Sequence, residues 1–225
     1  MSQVNRPCII WGATGQAKVA YDILMSEGTK IIHLFDNNSS IKSPLPGIPV
    51  SYGPDGILSF IDTLRHQELN PSDIDCIAAI GGAHGEARET MTLFMESHGF
   101  KSRSLIHKST MISPFANIGK NVQLLAGSII GPFATIGDHS IINTGANVDH
   151  DCKIGKNCHI GPHAALAGEI VIDNNVFVGT NATILPRLRI GHGSIVGAGA
   201  VVTKDCAAES VVAGNPARPL VRSIS

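Results

Sequence analysis

A six-residue repeat runs through the second half of the chain and limits the folds it can adopt. When residues 105–206 are written in units of six, the second residue of all seventeen units is Ile, Leu or Val, from Ile106 to Val202. This period indicates a parallel β-helix, in which three units close one coil of 18 residues and the aliphatic side chains stack inside. Coils about 4.8 Å apart would form five to six turns of a prism roughly 25–30 Å tall.

The predicted β-helix is poor in aromatic residues. Beyond residue 105 only Phe115, Phe133 and Phe177 are present. Its core must therefore be narrow and aliphatic. The small inward position of three units is occupied by cysteine, which predicts core packing: these are Cys152, Cys158 and Cys206.

The first half has a different pattern, in which predicted strands and helices alternate. The segment PCIIWGATGQA is typical of a strand, a glycine turn and a helix starting near Gln16, and KIIHLFDNN of a second strand ending at Asp36. This alternation predicts a small Rossmann-like parallel α/β domain. We expect it to span residues 1–104, with the β-helix and a C-terminal tail at 105–225.

The glycine turn suggests a phosphate site. Gly12 and Gly15 lie where a Rossmann phosphate loop would lie, and Asp36 follows 21 residues later. Glycines let a backbone approach a phosphate at a helix N-terminus. Three interpretations stay open: a turn without a ligand, an NAD site, and a nucleotide-linked substrate. The third is favoured because about 100 residues leave room for one mononucleotide.

Composition excludes several classes of function. The net charge is −1, which argues against nucleic acid or an anionic membrane as partner. No apolar run is long enough to span a membrane, and the N-terminus lacks the features of a signal peptide, so we expect a cytoplasmic protein. Five cysteines without a CxxC pair argue against disulfides and a structural zinc site.

A histidine cluster lies within the repeat, where NVDHDCKIGKNCHIGPH contains His150, His159 and His163. Acidic residues flank His150, so it has the setting of a general base. Gly168 lies one coil after His150 and should stack beside it, where its N–H could stabilise an oxyanion. His159 lies half a coil away, so the two histidines could converge only between subunits, as in a cyclic trimer.

The whole chain resembles the hexapeptide-repeat nucleotide-sugar acyltransferases. The resemblance rests on WGATGQAK, FDNN, AAIGGAHGEARE, SLIHKST, IINTGANVDHDCKIG, CHIGPHAALAG, GAGAVVTKD and VVAGNPARPL. It is strongest to the bacillosamine-pathway type, which acetylates the 4-amino group of a UDP-linked trideoxysugar, and sialic acid O-acetyltransferases are relatives. The resemblance implies a left-handed β-helix, a homotrimer and acetyl-CoA as co-substrate, without a metal.

The resemblance also implies roles for individual residues. His150 would be the base that takes a proton from the sugar amine in a direct transfer, and Asp151 would orient it. The expected acetyl-CoA contacts are His159, Gly168, Thr180 and Gly197. The expected substrate contacts are Gly12, Gly15, Lys18, Asp36, Asn37, Gly81, Asn143 and Thr144.

Departures from the family pattern leave the sugar open. Gln16 stands where histidine is frequent, and Gly82-Ala83-His84 replaces the usual Asp-Asn after the third predicted strand, in the segment IDCIAAIGG. Alternatives are a sugar or sialic acid O-acetyltransferase, a zinc enzyme similar to gamma-type carbonic anhydrases, and a non-catalytic scaffold. The zinc alternative is weakened because His159 and His163 are four residues apart, whereas those enzymes space two ligands by five.

Overall fold

Residues 6–220 are described by a computed structural model of the chain. They form two units: residues up to Ile80 with Ala87–Leu105, and Gly81–Glu86 with the residues from Ile106 onward. The segment Gly81–Glu86 is thus grouped with the second unit, although it lies within residues 1–104, the range expected for the first domain. It joins the second unit through contacts of Gly82 and Glu86 that are described below.

The first unit is built on a parallel five-stranded sheet. Its strands are β1 Cys8–Trp11, β2 Ile31–Asp36, β3 Val50–Tyr52, β4 Asp75–Ala78 and β5 Lys101–Ser102, in the order β3-β2-β1-β4-β5. The helices are α1 Gly15–Ser26, α2 Gly53–His66 and α3 Gly85–Ser97, with a 3-10 turn at Pro71–Asp73. Strand order reverses between β1 and β4, and ligands of such sheets bind at the carboxyl ends of strands there.

Sequence and structure agree closely in the repeat. Between residues 105 and 202, each predicted unit begins with a two-residue strand, and these strands form three parallel sheets. The Asn147 sheet contains Met111–Ile112, Ile129–Ile130, Asn147–Val148, Ala165–Leu166, Thr183–Ile184 and Val201–Val202. The Lys153 sheet contains Asn117–Ile118, Thr135–Ile136, Lys153–Ile154, Val171–Ile172 and Arg189–Ile190. The His159 sheet contains Leu105–Ile106, Gln123–Leu124, Ile141–Ile142, His159–Ile160, Phe177–Val178, Ile195–Val196, Val211–Ala213 and Arg218–Pro219, of which the last strand pairs antiparallel.

Neighbouring strands pair 18 residues apart, for example Val148 with Leu166. The repeated aliphatic side chains are buried from Leu124 to Val202. Ile106 and Ile112 are instead 38% and 37% exposed, because no coil lies beneath the first one. The predicted fold class, an α/β domain followed by a left-handed parallel β-helix, is confirmed.

Four-residue turns connect the short strands. One turn residue repeatedly takes the left-handed conformation, as in Asp151 (φ 58°), Asn157 (φ 62°) and His163 (φ 54°). Within residues 6–220, no helix is long and apolar enough to cross a membrane.

Candidate active site

The base predicted from the sequence lies in the turn after the strand Asn147–Val148. Nδ1 of His150 donates a hydrogen bond to Oδ2 of Asp151 over 2.8 Å. The backbone N–H of His150 donates to Oδ1 of Asp149 over 2.7 Å. The side chain of His150 is 50% exposed. The turn thus presents an oriented imidazole on the outer surface of the β-helix.

Asp151 determines which imidazole nitrogen is available. Because an ionised carboxylate only accepts hydrogen bonds, the proton of the neutral ring is on Nδ1 and the lone pair is on Nε2. The hydrogen bond that Nδ1 of His150 donates to Asp151 raises the pKa of His150, and partial desolvation opposes this. The charges of Asp149, Asp151 and Glu169 raise the pKa further. The raised pKa makes His150 a stronger base than an isolated histidine.

His150 lies against Gly168, one coil further along the chain. A β-carbon built on Gly168 would touch Nε2 of His150 and lie 2.5 Å from Cε1. Only a residue without a side chain leaves room for the ring. The stacking expected from the 18-residue spacing is therefore present.

The backbone N–H of Gly168 is available to a ligand. In the turns that begin with Asn143 and Asp149, the side-chain oxygen of that residue accepts the next backbone N–H over 2.7 Å. Gly168 follows Ala167, which has no such oxygen, and no other group among residues 6–220 accepts this N–H. Gly168, which contacts Nε2 of His150, therefore has a free backbone N–H donor.

His159 has a different environment from His150. Its ring is 6% exposed. Nδ2 of Asn143 lies 2.9 Å from Nε2 of His159, and Nδ1 lies 3.3 Å from the carbonyl oxygen of Gly82. Nδ1 therefore carries the proton and donates to Gly82, while Nε2 accepts from Asn143. Both nitrogens have partners within the chain, so the predicted acetyl-CoA contact of His159 would have to displace one of them.

Two further contacts fix the segment Gly81–Glu86, which contains Gly82. Nδ2 of Asn175 donates to Oε1 of Glu86 over 2.7 Å. A β-carbon on Gly85 would lie 2.7 Å from that of Asn157, so the backbone passes close to the β-helix there. Nothing in the repeat itself indicated this cover over the His159 sheet.

The three clustered histidines do not come together within one chain. His150 follows the Asn147 sheet, His159 lies in the His159 sheet, and His163 lies in the exposed turn after it, with its ring over Gly145. Within residues 6–220, no three His, Cys, Asp or Glu side chains are placed to hold a metal ion.

In the first unit, Asp36 organises the glycine turn. Its Oδ2 accepts the N–H of Ala13 over 2.8 Å, and Oδ1 accepts the N–H of Asn38 over 2.9 Å. Gly12 has φ 105°, and a β-carbon there would collide with the carbonyl oxygen of Ala79. At Gly15 a β-carbon would meet nothing within 4 Å, so the chain itself leaves space at the start of α1. That space is compatible with an approaching phosphate.

The other predicted contacts occupy accessible positions. Lys18 lies on the first turn of α1, Asn37 follows β2, and both are exposed. Thr144 and Thr180 are exposed in turns after the His159 sheet, whereas Gly81 and Gly197 are half-buried. The structure therefore presents these predicted residues in both units without assigning them a ligand.

Sequence reasoning missed Glu169, which lies one coil above Asp151. Glu169 pairs with Arg187 over 2.9 Å, and its charge contributes to the raised pKa of His150. The signal that could have identified it was its 18-residue distance from Asp151.

A cavity of about 400 Å³ lies near the last coils. Its lining includes Lys204, Cys206, Ser210 and Arg218. Two cationic side chains in one cavity suit a ligand with phosphate groups.

Comparisons with known proteins identify relatives of the whole chain. A family model described as "Bacterial transferase hexapeptide (six repeats)" matches residues 133–168 and 169–204. No match was found among curated proteins.

Solved structures match over both units. Perosamine N-acetyltransferase from Caulobacter crescentus is 33% identical, with 96% of this chain and 97% of that chain covered and a TM-score of 0.83. Its structures contain CoA and GDP-perosamine, and two of them carry a substituted histidine. The acetyltransferase domain of PglB from Neisseria gonorrhoeae, in complex with acetyl coenzyme A, is 31% identical, with coverage of 96% and 100% and a TM-score of 0.80. WeeI from Acinetobacter baumannii is 29% identical, with coverage of 95% and 99% and a TM-score of 0.76.

Proposed function

The chain belongs to the bacterial hexapeptide-repeat transferases, and from this membership we propose that it transfers the acetyl group of acetyl-CoA to an amino group of a nucleotide-linked sugar. The observation that carries the proposal is the His150–Asp151 pair lying against Gly168, whose N–H is free. Together they supply a base and an oxyanion donor, the two groups that acyl transfer to an amine requires.

The transfer proceeds directly from thioester to amine. The amine nitrogen attacks the thioester carbonyl carbon, and the negative charge that forms on the oxygen is stabilised by the N–H of Gly168. Nε2 of His150 takes the proton of the attacking amine, and Asp151 stabilises the resulting imidazolium. The C–S bond breaks, an amide forms, and the proton is returned to the departing CoA thiolate.

Within residues 6–220, the cysteine nearest to the base in sequence is not suited to a covalent intermediate. Cys152, in the same turn, is buried, and its Sγ donates to the carbonyl oxygen of Ala167 over 3.1 Å. Burial raises the pKa of the Cys152 thiol, which disfavours the nucleophilic thiolate. This supports direct transfer over an acyl-enzyme.

Acetyl-CoA would extend from Gly168 along the later coils. Thr180 and Gly197 follow strands of the His159 sheet, so they would reach this path from a neighbouring subunit, and the cavity lined by Lys204 and Arg218 would take the phosphate-bearing end. The complexes of the Caulobacter and Neisseria relatives with CoA and acetyl-CoA support this donor.

The acceptor is proposed to be a nucleoside-diphosphate sugar with a free amine. The glycine turn and Asp36 would hold the nucleotide, together with Lys18 and Asn37. Sequence resemblance favours a UDP-linked 4-amino sugar of the bacillosamine type, whereas the Caulobacter relative binds GDP-perosamine. The panel of UDP- and GDP-linked acceptors described below decides between these nucleotides.

The active assembly is proposed to be a trimer. Within one chain, His150 and His159 are on different sides of the β-helix, so a site using both needs two subunits. Two outward side chains of the Asn147 sheet, Met111 and Ile129, are 65% and 39% exposed and would supply apolar contact area. Light scattering should give a mass near three chains of 23.6 kDa.

The proposal is tested by measuring CoA release from acetyl-CoA with a panel of acceptors. The panel contains UDP- and GDP-linked 4-amino sugars, the corresponding hydroxyl sugars, and free sialic acid. We expect release only with nucleotide-linked amino sugars, and mass spectrometry should find the acetyl group on nitrogen. Release with hydroxyl acceptors alone would instead identify an O-acetyltransferase. Absence of release with every acceptor would contradict the proposal.

A further inference from the structure

Two exposed phenylalanines stack on one another in the first coils of the β-helix. Phe115 and Phe133 are 62% and 60% exposed, and their ring centroids lie 5.4 Å apart with 23° between the planes. Aromatic residues are rare in this half of the chain, yet two of its three phenylalanines are at this surface. Exposed apolar clusters of this kind commonly mark contact sites.

The turn that carries Phe133 lies one coil below the turn that carries His150, with Phe133 at the position below Asp151. The backbone N–H of Asp151 donates to the carbonyl oxygen of Pro132 over 3.0 Å. A β-carbon on Gly131 would lie 2.8 Å from the backbone nitrogen of His150. The turn carrying Phe133 is therefore packed against the turn carrying His150, one coil lower.

The backbone conformation of Phe133 is unusual for an aromatic residue. Phe133 has φ 60°, whereas the other left-handed non-glycine residues of the described chain are all polar or charged. A bulky side chain with positive φ is unusual, and residues held in such conformations cluster at functional sites. Since its ring is largely exposed, burial in this chain does not compensate for that conformation.

The orientation of His150 indicates which reactant would lie over the pair. The ring of His150 leans toward Gly168, one coil above, where the thioester carbonyl is proposed to bind. The side below this turn, where Pro132 lies under His150 and Phe133 under Asp151, is left for the acceptor. The pair has no charge of its own and suits an apolar surface better than a diphosphate.

We infer that Phe115 and Phe133 form a platform on which the C–H face of the acceptor sugar packs, placing its amine at Nε2 of His150. This deepens the proposed function and rests on it. The negative face of an aromatic ring attracts the polarised C–H groups of a pyranose. A sugar lacking ring hydroxyls, with a methyl group in place of a hydroxymethyl, offers the largest apolar face.

The test compares Phe133→Asn with wild type and with Leu185→Asn. Asparagine suits the left-handed conformation, so Phe133→Asn removes the ring without straining the turn. Leu185 is an exposed apolar residue (41%) in a later turn of the same corner and serves as the matched control. We expect Phe133→Asn to raise the KM for the nucleotide amino sugar roughly three- to tenfold, with the KM for acetyl-CoA, the Tm and the assembly mass unchanged. Leu185→Asn should leave the sugar KM unchanged, and Phe133→Tyr should retain the wild-type sugar KM.

Other outcomes would overturn the platform. An unchanged sugar KM in Phe133→Asn would show that the ring does not contact the acceptor. A raised acetyl-CoA KM would assign the pair to the donor, and a lower mass by light scattering would assign it to a subunit contact. Wild-type protein without turnover on any acceptor would refute the proposed function and the platform together, which distinguishes that failure from the others.

Discussion

The imidazole of His150 lies over the α-carbon of Gly168, so close that a β-carbon there would sit 2.5 Å from Cε1. This contact joins two consecutive coils. A substitution of either residue should therefore displace the other.

Replacing Gly168 with alanine should displace the His150 ring. Gly168 does not have a positive φ, so alanine does not strain the backbone there. The added methyl group acts mainly through its clash with the His150 ring. A displacement of about 1 Å should lower kcat roughly 100-fold. The Tm should fall as well, because two groups compete for one space.

A double-mutant cycle separates this clash from a general defect. In a His150→Ala background the ring is absent, so Gly168→Ala should lower the Tm much less than in wild type. Equal losses of Tm in both backgrounds would mean that the alanine disturbs the coil independently of His150.

Removing the carboxylate of Asp151 should change the pH dependence of turnover. The hydrogen bond that His150 donates to Asp151 raises the pKa of His150, and a histidine acts as a base only when its ring is neutral. The rate of the wild type should therefore fall as the pH drops through this raised pKa. In Asp151→Ala the pKa decreases, so the acid limb of kcat/KM should move to lower pH.

Asp149→Ala provides the comparison, because Asp149 raises the pKa of His150 less than the Asp151 hydrogen bond does. Its acid limb should move in the same direction but by a smaller amount. An acid limb that stays in place in Asp151→Ala would contradict the assignment of that limb to His150.

Asp36→Ala should weaken binding of the nucleotide sugar. Its carboxylate holds the glycine turn through the N–H of Ala13, over 2.8 Å. We expect the KM for the nucleotide amino sugar to rise roughly 10–100-fold through loss of hydrogen bonds worth about 1.5–3 kcal/mol. The KM for acetyl-CoA and kcat should change little, since this binding is uniform between ground and transition states. A raised KM for acetyl-CoA alone would place the donor in the α/β unit.

His159→Leu should destabilise the fold, unlike changes at exposed histidines. His159 is buried, and its loss leaves the amide of Asn143 and the carbonyl of Gly82 without their partner. Chemical denaturation should show a loss of about 2 kcal/mol in the free energy of unfolding. His163→Asn is the control, because His163 is exposed and asparagine suits its left-handed backbone, and it should change the free energy of unfolding little. Equal stability of both variants would contradict the role of His159 in holding the segment Gly81–Glu86.

The repeat made much of the second unit predictable. A period of six places Val148 opposite Leu166, and the same spacing brings His150 to Gly168 without further information. The contact of His159 with Gly82 was not predictable, because Gly82 lies 77 residues away and outside the periodic region. The short strand β3 was missed as well, since its three residues carry too little pattern to distinguish them from a loop.

The central claim is that His150 is the base of the transfer, and the rate of CoA release by His150→Ala tests it most directly. General base catalysis contributes roughly 10²–10⁴-fold to a rate. The rate of CoA release at saturating substrates should therefore fall by about 100-fold or more. The Tm should stay near that of wild type because the side chain is half exposed, and His163→Ala should retain full activity. More than a tenth of the wild-type rate in a folded His150→Ala protein would contradict the account.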